Sequence, residues 1–255
     1  MDAVATRTRT VSPWLAFGAL VAAAWWGVWR LHAGGHHHSD ASYVVLFLMW
    51  ALMTLAMMVP TAVPVLMSLR DVLHREGTRR WWLFLGGYVA VWLGFALAAA
   101  ALQRLLMSIG WVGSNGVAVR WLGAAVLVAA GAYQFSALKR RCLSECVAPM
   151  NWFLRHWRDG DVGAVRMGLL HGATCVGCCW ALMLVGFAGG LASVGLMVVA
   201  AALMVLEKLP ALAARLTIPL GVALVVAGVL WLVMSPGAQH SHQERTSNGS
   251  VVARG

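Results

Sequence analysis

Residues 82–107 read WLFLGGYVAVWLGFALAAAALQRLLM, and one charged side chain, Arg104, interrupts them. A half-buried strand alternates apolar with polar side chains, whereas this run is continuous. It also exceeds the roughly 20 apolar residues that a helix needs to cross a bilayer. Lipid offers no water to backbone N–H and C=O groups, so a segment inside it must satisfy them itself, as a helix does. Working outward, the same reading applies to 14–31, 43–69, 117–138, 168–188, 191–206 and 216–234, which makes seven runs in all. The expected fold class is all-α, a polytopic transmembrane helical bundle of about seven spanning helices. It should occupy residues 1–238, with a cytoplasmic connection between the fourth and fifth helices at 139–166, and leave a polar disordered C-terminal tail at 239–255.

Composition agrees with a lipid environment. The 255 residues are 61% hydrophobic and only 11% charged, where soluble domains carry about 25% charge. The first run is long enough to span and has no Ala-x-Ala exit, so it reads as a signal anchor rather than a cleaved peptide.

The net charge of +10 invites a nucleic-acid reading, but its distribution opposes that. With the N-terminus inside, 14 of the 19 Lys and Arg residues fall in inner segments, among them Arg70, Arg79, Lys139, Arg155, Arg166 and Lys208. That asymmetry is what the positive-inside rule expects. It predicts a multi-pass protein of the plasma membrane, the bacterial inner membrane, with a cytoplasmic N-terminus, the bilayer as its main partner and no nucleic-acid role. The Gly189-Gly190 turn separates the fifth and sixth runs in this scheme.

Several local signals refine the picture. Ser12-Pro13 reads as a helix start, a hydroxyl cap followed by a proline whose missing N–H is harmless there. Pro60 and Pro64 should kink the inner half of the second helix. Trp152, Phe153 and Trp157, set among Arg155, His156 and Arg158, suit a short helix at the headgroup boundary. His36, His37, His38 and Asp40 form an outer cluster, echoed by His240 and His242. Such a tract either binds metal weakly or is simply solvated.

The five cysteines fall in two groups. Cys142 and Cys146 follow the fourth run, and Cys175, Cys178 and Cys179 lie in the fifth. At 100° per residue, His171, Cys175, Cys178 and Cys179 stand at about 0°, 40°, −20° and 80°, roughly a third of the circumference. At about 1.5 Å per residue this stripe descends from the cytoplasmic boundary to mid-membrane, with His171 at the water edge. The sixth run returns to the same boundary at Glu207-Lys208, where Lys208 can pair with its neighbour.

Soft thiolates with imidazole select copper(I) or zinc, and cytoplasmic thiols stay reduced, which favours ligation over a structural disulfide. The expected metal residues are therefore Cys175, Cys178, Cys179, His171, Cys142, Cys146 and Glu207. Met49, Met53, Met57 and Met58 on the second helix are either core or thioether donors. Against all of this stands plain packing, because free cysteine is a good small hydrophobe. No phosphate-cradling loop and no covalent-haem motif is present.

The stretch from His171, HGATCVGCCWALMLVGFAGG, followed by VLEKL at 205–209, resembles the predicted metal-binding integral membrane proteins of domain-of-unknown-function family 2182. MWALMTLAMMVPTAVP at 49–64 and YQFSALKRRCLSECVAP at 133–149 belong to the same resemblance. It implies functional positions at Cys142, Cys146, Cys175, Cys178, Cys179, Glu207 and Lys208, and a small soluble or membrane protein as partner. Two departures stand out: Ser136-Ala137 where Thr-Pro is usual, and Ala192-Ser193 where Met-Asn is frequent. The first bears on the geometry after the fourth run.

Together these readings predict a membrane protein that holds a soft metal, copper first and zinc as the alternative, at a cytoplasm-facing Cys/His/Glu site. Its purpose would be delivery, transport or a bound cofactor. An intramembrane thiol–disulfide or metal-dependent oxidoreductase, its thiol activated by His171 or Lys139, is one alternative. A structural subunit of a membrane complex is the other.

Overall fold

A computed structural model describes residues 2–33, 42–73, 78–113, 118–186 and 194–234, of which 2–13 and 214 are described in their backbone alone. The histidine loop 36–38 with Asp40, the Gly189-Gly190 turn, Ala192-Ser193, His240, His242 and the 239–255 tail lie outside the described residues. Ten helices account for nearly everything else: α1 (Asp2–Ala33), α2 (Tyr43–Thr61), α3 (Val63–Leu73), α4 (Thr78–Ser108), α5 (Arg120–Gln134), α6 (Ala137–Val147), α7 (Pro149–His156), α8 (Gly160–Leu184), α9 (Val194–Glu207) and α10 (Ala213–Val233). Among the described residues the only strand-like pairing is an isolated bridge, Val112 to Ala118, in the connection after α4. The fold is an all-helical bundle.

Among the described residues, five helices are long and apolar enough to cross a membrane: α1 over Trp14–Leu31, α2, α4, α8, and α10 over Arg215–Val233. The bent pair α5–α6 raises this to six if it counts as one span. Among the described residues, the expected seven runs differ from these helices at two places. The fourth run does not continue straight to 138, because α5 ends at Gln134 and α6 leaves at 64° to it. The described part of the sixth is the 14-residue α9, about 21 Å at helical rise, and 191–193 lie outside the described residues.

The corners have local causes. Ser136 caps α6, its hydroxyl accepting from the Lys139 N–H at 3.1 Å. That is the task a threonine would perform at this position, so the Ser-Ala variation leaves the cap intact. Pro60 does more than kink the second helix. It lies in the last turn of α2, Ala62 stands outside both helices, and α3 restarts with Pro64 at its second position, where a missing N–H does no harm. The first helix extends back to Asp2, past the start expected at Ser12-Pro13. The 139–166 connection is itself mostly helical, comprising α6, α7 and the start of α8.

Helix α8 is the hub. It packs along α4 and receives α6, while α2 closes the other side of α4 and α5 pairs with α10. Small residues make the α4–α8 approach: a methyl at Gly168 would run into the Phe84 carbonyl, and one at Gly87 would sit 2.5 Å from the Val165 carbonyl oxygen. Close backbone contact of this kind is the usual basis of helix association in lipid. Between α2 and α4, the buried Trp50 indole N–H donates to Gln103 Oε1 at 2.7 Å. Helix α7, the short helix expected around Trp152, turns Trp152 and Phe153 inward onto Phe84, so these two aromatics are buried in the protein.

Candidate metal centre

The fifth apolar run brings its three thiols together as its phase requires. Cys175, Cys178 and Cys179 are buried on α8, and their Sγ atoms all lie within 4.8 Å of one another. Cys178 and Cys179 are 3.2 Å apart. Helix α6 adds a fourth sulfur, since Cys146 Sγ stands 3.8 Å from Cys178 Sγ. All five cysteines are free thiols.

Two hydrogen-bonding groups converge on Cys175 from other helices. Lys208 Nζ, just past the end of α9, donates to Cys175 Sγ at 2.9 Å and to Thr61 Oγ1 at 2.6 Å. The Tyr88 hydroxyl of α4 lies 3.2 Å from the same sulfur and donates to the Met58 carbonyl at 2.9 Å. The Thr61 hydroxyl in turn donates to the Met58 carbonyl at 2.8 Å. The proline break after Thr61 thus places this hydroxyl where Lys208 meets it, and the glycine contact of α4 with α8 sets Tyr88 beside Cys175.

Glu207 and Lys208 do not pair with each other. Successive helical residues point about 100° apart and do not face one another. Glu207 turns to α6, where its Oε2 accepts from Lys139 Nζ at 2.7 Å, and both side chains are almost wholly buried. Its Oε1 has no partner among the described residues. The end of α9 therefore ties α6 through one residue and α8 and α2 through the next.

The remaining expected ligands lie around this group. Cys142 is partly buried against Gly177 of α8, where a methyl would approach its sulfur to 2.6 Å. His171, one turn before Cys175, is not at the water edge; it is 3% exposed. Trp152, Phe84 and Tyr88 surround its ring at centroid distances of 5.1, 6.0 and 6.1 Å, and its Nδ1 has no partner among the described residues. Met53, Met57 and Met58 are core residues of α2, with Met49 half-buried. Lys139, expected as a thiol activator, instead pairs with Glu207, and two participants, Tyr88 and Thr61, escaped the sequence reading. Their one signal is polarity inside or beside an apolar run, which does not say which element they face.

The donor set fits a soft ion. A metal–sulfur bond of about 2.3 Å in a trigonal plane sets the sulfurs about 4.0 Å apart, close to the separations here. A model of the PpoB2 family, described as copper chaperone, matches residues 47–231. The chain belongs to that family. The match takes in every cysteine, Tyr88, Lys139, Glu207 and Lys208, and it encloses the segments that carried the resemblance. It supports a metal-related family while giving it a name other than domain-of-unknown-function family 2182. No curated protein and no solved structure matches the chain.

Proposed function

We propose that this protein carries copper(I) as cargo through or along the membrane, held by Cys175, Cys178 and Cys179. The observation that carries this reading is the buried trio of sulfurs within 4.8 Å of one another. Thiolates are the soft donors that copper(I) prefers. Three thiolates around one copper(I) carry a net double negative charge, and the Lys208 ammonium against Cys175 offsets part of it. Tyr88 has a single hydroxyl proton and two acceptors. It bonds to the Met58 carbonyl while Cys175 is a thiol and can turn to the sulfur once that is ionised.

Cys146 is the next donor on the path, Cys142 the one nearer the surface, and His171 and Glu207 flank the site. Charge asymmetry favours a cytoplasmic N-terminus in a bacterial inner membrane. A small acceptor protein would receive the ion there.

Copper content of the detergent-purified chain, loaded anaerobically, tests this, with X-ray absorption reading the donors. The expected result is roughly one copper per chain in sulfur-only coordination, lost on Cys175→Ser or Cys178→Ser. Cys146→Ser separates the metals: copper(I) keeps its trigonal site, whereas zinc, which takes four ligands, is lost. Equal copper in wild type and a Cys175→Ser, Cys178→Ser, Cys179→Ser variant would overturn the reading.

One observation favours a second class. Cys146 and Cys178 sit 3.8 Å apart on different helices, and a disulfide needs about 2.05 Å. A metal-free chain with a reversible dithiol–disulfide couple at that pair would make it a redox protein.

A further inference from the structure

Beside the junction of α7 and α8 lies a cleft of about 450 Å³, remote in chemistry from the thiols. Arg155, Arg158, Arg166 and His156 line it, with Leu169 and Leu170 along α8, and among the described residues no carboxylate joins them. The nearby acids are engaged elsewhere or held by one rim residue. Asp161 pairs with Arg79 at 2.8 Å, Asp159 accepts from the Trp157 indole at 2.9 Å, and Glu145 faces Arg155 at 3.7 Å. Arg158 and Arg166 form no ion pair among the described residues. Two permanently charged guanidinium forks, suited to phosphate oxygens, thus stand unmatched at one rim.

The order of groups along α8 identifies the phosphate's source. At helical rise Arg166 lies about 9 Å from Gly160 and Leu170 about 15 Å. Leu169 and Leu170 are exposed on a helix apolar enough to cross a membrane. Cationic groups therefore come first and an apolar shelf follows, the same sequence as headgroup and acyl chain. A free phosphate has no use for the shelf, and an acidic peptide would leave its leucines uncovered. Basic clefts of this kind at helix ends are where anionic headgroups bind.

We propose that this cleft binds the phosphate headgroup of an anionic phospholipid, with the acyl chains laid along Leu169 and Leu170. The test is native mass spectrometry of the full-length protein in detergent, with phosphatidylglycerol or phosphatidylcholine of matched acyl chains. Wild type should retain phosphatidylglycerol preferentially. An Arg158→Gln, Arg166→Gln variant should lose that preference by about fivefold per guanidinium removed. Arg158→Lys with Arg166→Lys keeps the charge and should keep most of the preference. An unchanged preference in the glutamine variant overturns the proposal. So does inorganic phosphate, or a glutamate-rich peptide, binding at this rim while the two lipids are retained equally.

Discussion

Helices α8 and α10 are both long and apolar enough to cross a membrane, and they use that property in opposite ways. The α10 span has the higher mean hydropathy, 2.5 against 1.6, yet only 17% of it is buried within the protein, against 56% for α8. Val222, Val226, Val229 and Leu230 of α10 face outward, and its inner contact rests on Gly221 and Gly228 against α5. Lipid tails solvate such side chains as well as a protein interior does, so a peripheral helix is free to be uniformly apolar. The central helix is less hydropathic because it carries glycines for close approach together with His171 and Thr174. Hydropathy finds both helices, and burial tells them apart.

The contrast can be broken most forcefully at the charges packed beside α8. Lys139→Met leaves Glu207 buried without its cation, and the expected loss of stability is about 3–5 kcal/mol in detergent unfolding. A Lys139→Met, Glu207→Leu double variant should regain most of it. If the single variant is as stable as wild type, the interior around α8 is wetter than its geometry implies.

Next comes the helix contact itself. Gly168→Val drives a side chain into the Phe84 carbonyl of α4, with an expected cost of roughly 1–3 kcal/mol or more from overpacking. Thermal unfolding reads this directly, and a neutral outcome would mean that α4 and α8 do not meet there. Tyr88→Phe removes a hydroxyl shared by the Met58 carbonyl and Cys175. Its expected effect is about 0.5–1.5 kcal/mol, with helical content unchanged by circular dichroism. On α10, Val226→Ala trims an exposed side chain on the outer face and should stay within about 0.5 kcal/mol. A larger effect would show that another chain, rather than lipid, covers that face.

Much of the site was legible because it is written on one helix. A period of 3.6 residues puts Cys175, Cys178 and Cys179 on one face whatever surrounds them, and the sulfurs do gather. His171 shares that face in phase, yet one turn of rise and the inward packing of Trp152 leave it in an aromatic enclosure. Its environment belongs to α7 and α4, which periodicity along α8 does not describe. Glu207 and Lys208 show the same limit more sharply. Adjacency in sequence suggested a pair, while helical geometry turns the two side chains toward different neighbours.

By itself the sequence determined that the chain is helical and apolar enough for a membrane, and that three thiols share a face. These follow from composition and from the helical repeat, which are local properties. Only the tertiary structure decided that Cys146 joins the trio, that Lys208, Tyr88 and Thr61 converge on Cys175, and that Lys139 takes Glu207. It also decided that the fourth apolar run bends away after Gln134. Each of those outcomes depends on how closely two helices approach, which glycines, prolines and caps set jointly across distant segments. No window along the chain contains both partners of such a contact.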